Sequence, residues 1–179
     1  MIDMPRMIMI GSSGRNSGKT MLARELISAL PEFEITALKV TSIDGDTDVC
    51  PRGGEGCGAC SLGGEAYALY EEHNFSEKDT GRLLAAGAAR VFWLRSLRSE
   101  LENSFSYALS LFSPRSVIIC ESNSLREIVK PALFVMLMNG KSIKSQAARF
   151  AALAEITLEF PWSETSAGIL RDRARQLLK

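Results

Sequence analysis

The run Ser13-Gly14-Arg15-Asn16-Ser17-Gly18-Lys19-Thr20 has the residue types and spacing of a loop that wraps phosphate. Small residues let successive backbone N–H groups turn inward around phosphate oxygens, and Gly14, Ser17 and Gly18 meet that need. Lys19 is placed to neutralise β- and γ-phosphates and Thr20 to offer its hydroxyl to Mg²⁺, while a helix starting there aims its positive end at the anion. Where the pattern G-x-x-x-x-G-K-[ST] has its first glycine, this chain has Ser13, with Gly14 beside it to take up the turn. The alternative is a Gly/Ser-rich connector that happens to contain Gly-Lys-Thr; a strand before and a helix after decide between the two. The expected ligand is a nucleoside triphosphate, GTP or ATP, bound with Mg²⁺ by residues 13–20.

Phosphate loops of this kind work with a carboxylate at the end of a neighbouring strand, which holds the metal directly or through water. Glu121, after Val117-Ile118-Ile119-Cys120, has that placement, and its other reading is an ordinary strand-end acid. Lys19 and Glu121 are thus the expected catalytic pair of a weak hydrolase, with Thr20 and Glu121 as metal ligands. Asp44, Asp46 and Asp48 are either a second acidic group at the strand ends or a solvated loop. Lys39 is a candidate for phosphate or an anionic substrate, or simply a strand-end cation, and Arg82 carries the same double reading. Asn139, followed by Gly140, reads as a turn before it reads as a contact to a nucleotide base.

Cys50, Cys57 and Cys60 have C-x₆-C-x₂-C spacing in a Gly-rich segment that can wrap several sulfurs around one centre. Three thiolates suit zinc or an iron–sulfur cluster completed by a fourth ligand, for which Cys120 and His73 are the candidates. A reduced flexible loop and a redox pair of Cys57 with Cys60 are the competing readings.

These residues need a scaffold, and the apolar pattern supplies one. Residues 6–10 are apolar on both sides of the pleat, as in a strand buried between helical layers. Leu22, Leu26 and Leu30 recur every four residues before Pro31, which predicts a helix over 19–30, and residues 35–40 return to β character. The pattern then lapses from 41 to 65, a Cys/Gly/Asp-rich insertion. Residues 65–72 read as a short helix and 78–86 as another, which Gly87 stops. Further strands are expected at 90–94, 117–120, 133–138 and 156–160. Leu97, Leu101, Phe105, Ala108 and Phe112 mark one helix face that Pro114 ends, residues 145–153 another helix, and Leu170, Ala174, Leu177 and Leu178 a closing one. The fold class is α/β, a mostly parallel sheet of about six strands flanked by helices, the P-loop NTPase fold, in a single domain of 179 residues.

Equal numbers of basic and acidic residues, 21 each, leave no global field to attract nucleic acid. Nothing at the start reads as a secretory leader, and the longest apolar run, 132–138, is too short to cross a bilayer. A cytoplasmic protein without nucleic-acid or membrane partners is expected.

With these pieces in order the chain resembles the MobB-type proteins of molybdopterin-guanine dinucleotide biosynthesis. Ile35-Thr36-Ala37-Leu38-Lys39-Val40 is similar to that family's second strand ending in lysine, with Val40 where the family commonly has histidine. Lys78-Asp79-Thr80-Gly81-Arg82 followed by Ala86-Gly87-Ala88 is similar to its D-[ST]-x-R…A-G-A segment, and Glu121 to its strand-end glutamate, here followed by Ser122. The cysteine segment is not part of the familiar pattern. The resemblance implies a homodimeric GTP-binding accessory protein with weak hydrolysis that assists a nucleotidyltransferase in molybdenum cofactor assembly. The residues also admit a phosphoryl-transfer or ATP-dependent ligase enzyme, and a metal-sensing or metal-delivery NTPase that uses the cysteines.

Overall fold

Every position from 7 to 10 is apolar because the strand β1 (Ile2–Ser12) has a helical layer on each side. Ile8 and Ile10 face one layer, Met7 and Met9 the other, and all four are fully buried. The computed structural model describes residues 1–14, 17–44, 62–140 and 145–179. After β1 come α1 (Lys19–Ala29), β2 (Ile35–Ile43), β3 (Tyr67–Glu72), α2 (Asp79–Ala85), β4 (Arg90–Leu97), α3 (Leu101–Ser110), β5 (Val117–Glu121), β6 (Val129–Met138), α4 (Ser145–Ala151), β7 (Ile156–Glu159) and α5 (Glu164–Leu178).

The strands form one seven-stranded sheet in the order β3-β4-β2-β5-β1-β6-β7. All pairings are parallel except that of β3 with β4. Leu22 and Leu26 of α1, Leu83 of α2, and Leu170, Ala174 and Leu178 of α5 pack on one face. Leu101, Phe105 and Ala108 of α3 and Phe150 of α4 pack on the other. The chain is therefore α/β with a mostly parallel sheet between helices, and no helix among the described residues is long and apolar enough to cross a membrane.

Several expectations change, the first being that β1 already begins at Ile2 and β2 runs on to Ile43, into the segment expected to lack elements. Residues 67–72 form an edge strand instead of a helix, which makes seven strands instead of about six: Tyr67 and Leu69 pack on the α3 side while Tyr70 turns to the other, a two-residue alternation stabilised by antiparallel pairing with β4. Leu97 closes β4, and α3 stops at Ser110, ahead of Pro114. Strand β6 begins at Val129, because Pro131 falls where its register with β1 shifts between Met4 and Ile8, a place where the ladder tolerates a missing donor.

The α2 helix matters below because it carries Asp79, and its seat depends on Gly81. A Cβ there would lie 2.5 Å from the Ser76 backbone nitrogen and 2.9 Å from its carbonyl oxygen, with the Ser76 hydroxyl also in the way. An exposed helical Gly→Ala change gains up to about 1 kcal/mol. Here the sign should reverse: Gly81→Ala is expected to destabilise the protein by ~1–3 kcal/mol through overpacking. Denaturant unfolding of both proteins checks this, and a variant at least as stable as the parent would contradict the packing.

Candidate functional site

The site lies where β1 hands the chain to α1, and both neighbouring strands hold the crossing. Strand β5 stops at Glu121, one residue short of what β1 needs, and the Asn123 side chain takes over as a substitute peptide. The Ser12 N–H donates to Asn123 Oδ1 at 2.7 Å and Asn123 Nδ2 donates to the Ser12 carbonyl at 2.8 Å. From the β6 side, the Ser13 N–H donates to the Leu137 carbonyl at 2.8 Å. The Ser13 hydroxyl donates to Asn139 Oδ1 at 3.2 Å and accepts from the Asn139 N–H at 3.3 Å.

Gly18 ends the turn with φ 84°, a left-handed conformation that disfavours any side chain, and the Phe160 ring would be 2.6 Å from a Cβ there. Its carbonyl accepts the Leu22 N–H at 2.9 Å, so α1 starts immediately. The cap residue of α1, Gly18, makes no side-chain hydrogen bond to it, and its first turn holds no acid. The helix α5, by contrast, is capped by Ser163, which accepts from the Ser166 N–H, and has Glu164 in its first turn. At α1 the cap position is a glycine, which has no side chain to offer, so the helix dipole meets no acid of its own first turn.

Lys19 and Thr20 begin that helix. Lys19 Nζ donates to the Ser12 hydroxyl at 2.7 Å, and that hydroxyl donates onward to the Gly14 carbonyl at 2.8 Å, which the Ser17 hydroxyl also reaches at 3.0 Å. Thr20 Oγ1 donates to Glu121 Oε2 at 3.1 Å. Glu121 is 4% exposed, and its other oxygen, Oε1, is buried without a hydrogen-bond partner. Burial pushes the Glu121 pKa up; the Lys39 charge opposes this, Asp79 reinforces it, and the Thr20 hydrogen bond and Lys19 oppose it. Lys39 is itself ion-paired with Asp79 at the head of α2.

No family model, curated protein or solved structure matches this chain. Its chemistry has to be judged from these atoms.

Of the expected ligand-binding residues, Ser13, Gly14, Ser17, Gly18, Lys19 and Thr20 meet Glu121 at this one place. Arg15, Asn16, Asp46, Asp48, Cys50, Cys57 and Cys60 lie outside the described residues. Asp44 is bound by Arg98, which also holds Glu127, and Arg82 pairs with Glu77. Cys120 is fully buried on the α3 side of the sheet, where burial drives its thiol pKa sharply up, so it is a core residue and not a poised thiolate ligand. His73 is exposed just beyond β3. Among the described residues no three His, Cys, Asp or Glu side chains gather as a metal centre.

Ser12, Asn123 and the Phe160–Trp162 pair leaning on Gly18 escaped the sequence reading, and Asp79 entered it only within the segment of the resemblance, not as a residue of this site. Asn123 acts across the fold at no fixed spacing from Ser12, which leaves no local signal. A helix N-terminus with a lysine ammonium group beside it has the chemistry of an anion site, and a hydroxyl beside a carboxyl with one unsatisfied oxygen has that of a site for a hard divalent cation.

The buried Glu121 carboxyl has a consequence for stability against pH. Above its ordinary value of 4.5 the folded chain keeps a proton there that the unfolded chain has released, so this group's contribution falls as pH rises from 4.5 through the raised native value. In Glu121→Gln that descent should vanish. Thermal melts of both proteins from pH 4.5 upward measure it, and a parent-minus-variant difference that does not change with pH would show that the carboxyl is not held neutral.

Proposed function

We propose that this chain is a P-loop protein that binds a nucleoside triphosphate, GTP or ATP, with Mg²⁺. The observation that carries the reading is the Thr20–Glu121 hydrogen bond at the head of α1, a helix entered through a left-handed glycine, beside the Lys19 ammonium group. A sheet order that puts β5 directly beside β1 supports it, since the strand-end acid then faces the turn.

On this reading the N–H groups of the turn and of the first turn of α1 hold phosphate oxygens. Lys19 exchanges its neutral Ser12 acceptor for a charged phosphate, which makes a shorter and stronger bond. Thr20 and Glu121 would hold Mg²⁺, directly or through water; when bound, the ion neutralises charge between the β- and γ-phosphates. Glu121 must be ionised for that role, and Lys39 and Lys19 both favour the ionised form. Ser12 and Asn123 keep the turn in place, so its donors need little rearrangement when the anion arrives. Among the described residues no histidine stands at the site, which favours weak hydrolysis and a binding role over fast turnover.

The resemblance to MobB-type proteins extends the proposal to a homodimeric, cytoplasmic accessory of a nucleotidyltransferase in molybdopterin-guanine dinucleotide assembly. Its support is that Lys39 and Asp79, from two separate segments that carry the resemblance, meet as an ion pair whose charges act on Glu121, the third.

Lys19→Ala should weaken nucleotide binding by ~1.5–3 kcal/mol, about tenfold or more. Thr20→Ala and Glu121→Gln should chiefly reduce the gain in affinity that Mg²⁺ gives. Calorimetry with GTP and ATP, with and without Mg²⁺, tests both, and equal affinities for the parent and Lys19→Ala would sink the proposal.

A further inference from the structure

A cavity of about 430 Å³ lies on the α3 side of the sheet, the face turned away from Glu121 and Lys39, and the nucleotide reading makes no use of it. Three separate segments line it: Met1 ahead of β1, Arg126 and Glu127 of the 3-10 turn Ser124–Glu127 between β5 and β6, and Arg149, Phe150 and Leu153 around the end of α4. Phe150 is buried and Leu153 is 46% exposed, so the apolar part of the lining reaches from the core to solvent.

Arg126 is the unusual member. It is 8% exposed, yet Nη1 donates only to the Val129 carbonyl at 3.1 Å and to the Met1 sulfur at 3.9 Å. Nε is buried without a hydrogen-bond partner, which leaves Nη2 as the edge of the guanidinium that can meet a ligand. The guanidinium carbon lies 5.8 Å from the centre of the fully buried Phe134 ring, and that contact and the Val129 bond hold the group in place. Arg149 is exposed, and among the described residues neither arginine is within ion-pair distance of an acid. The acid of the cavity, Glu127, is taken up by Arg98 Nη1 at 2.9 and 3.1 Å. Asp44 also holds Arg98, so three guanidinium groups stand here against two carboxylates. A guanidinium withdrawn from water without a counter-charge is costly, and an oxyanion that reaches it offsets that cost through a charge-assisted hydrogen bond.

We propose that this cavity binds a small oxyanion carried on an apolar body, the anion on Arg126 and Arg149 and the body against Met1, Phe150 and Leu153. Small-ligand cavities run from roughly 300 to 1,000 Å³, so this one suits a body of one ring or a short chain. The lining opposes other classes. A cation would meet two guanidinium groups, and a bare inorganic anion would leave the apolar half of the lining against water. Arginine at both charged positions suits the oxygens of a carboxylate or a phosphate monoester. The site is across the sheet from Glu121, so it stands whether or not a triphosphate binds.

The probes are 3-phenylpropionate and phenyl phosphate, each titrated into the intact protein without nucleotide, with 3-phenylpropionamide as the uncharged match. Amide NMR shifts report where they bind and calorimetry how tightly. The expected result is saturable binding of at least one of the two anions, one per chain, with shifts centred on residues 125–129 and 148–154; the tighter anion names the oxyanion. The uncharged amide and the variant Arg126→Gln should each bind about tenfold or more weakly. Since Arg126 is buried, two exposed changes that folding tolerates accompany it. Arg149→Gln should weaken binding by about twofold to fivefold. Leu153→Glu, which sets a like charge against the apolar wall, should weaken it too. Absence of saturable binding by both anions overturns the site, as does binding that the amide matches or that Arg149→Gln and Leu153→Glu both leave unchanged.

Discussion

A carboxyl group inside an apolar sheet is the constraint that the rest of this structure answers to. Glu121 follows four fully or almost fully buried apolar residues of β5 and is itself 4% exposed. An ionised carboxylate in such surroundings costs several kcal/mol unless it is hydrogen-bonded and near opposite charge, and otherwise it keeps its proton. Its neighbours supply part of what it needs. Thr20 gives one hydrogen bond, Lys39 and Lys19 give favourable charge, and Oε1 is left with none. For Thr20 to reach at all, α1 must begin within two residues of Gly18, and that fixes where the chain turns after β1.

The turn is short of backbone partners because β5 and β6 do not run alongside it for its full length. Two asparagine amides fill the gap, Asn123 from the β5 side and Asn139 from the β6 side. Each joins an element to the turn through a hydroxyl or peptide group of Ser12 or Ser13. Phe160 and Trp162 close the remaining side by leaning on Gly18, and the Trp162 indole N–H is anchored on Glu25 of α1 at 3.1 Å. The described residues on either side of the turn are thus held from three sides, and under the proposed nucleotide reading that would leave less ordering to oppose binding.

How much of this could be read from residue order follows the range of each interaction. The β1–turn–α1–β2 series was legible because it is local: glycines at fixed spacing, leucines every four residues, then a β-branched run. Thr20 and Glu121 are 101 positions apart, yet the motif on one side and the strand-end position on the other pointed to the same place. Lys39 and Asp79 were each singled out by the resemblance, but their ion pair carried no sign, since one lysine and one aspartate among 21 basic and 21 acidic residues do not name each other. Residues 67–72 misled because Ala68, Leu69, Glu71 and Glu72 suit a helix, and only pairing with a strand more than twenty residues later makes them an edge. Cys120 misled by its element: a thiol reads as a ligand, but its strand position turns it into the α3-side core.

The strand register makes the fold and the site a single requirement. In β2, Leu38 and Val40 face the α3-side core while Lys39 faces α2, and Lys39 is level with Glu121. A slip of β2 by one residue against β5 would reverse every side chain. It would set a leucine or valine opposite the Glu121 carboxyl, remove its nearest compensating cation, and drive the Lys39 ammonium among Phe92, Leu94 and Phe105. Each of those changes opposes folding, and the last buries a charge without a partner. The alternation that makes β2 a good strand is therefore what delivers Lys39 to the Glu121 carboxyl. Site chemistry here is not added to a finished scaffold at a loop tip. The acid and its nearest cation stand level on adjacent strands whose alternate residues supply the α3-side core, so the packing that selects the register also sets Lys39 beside Glu121.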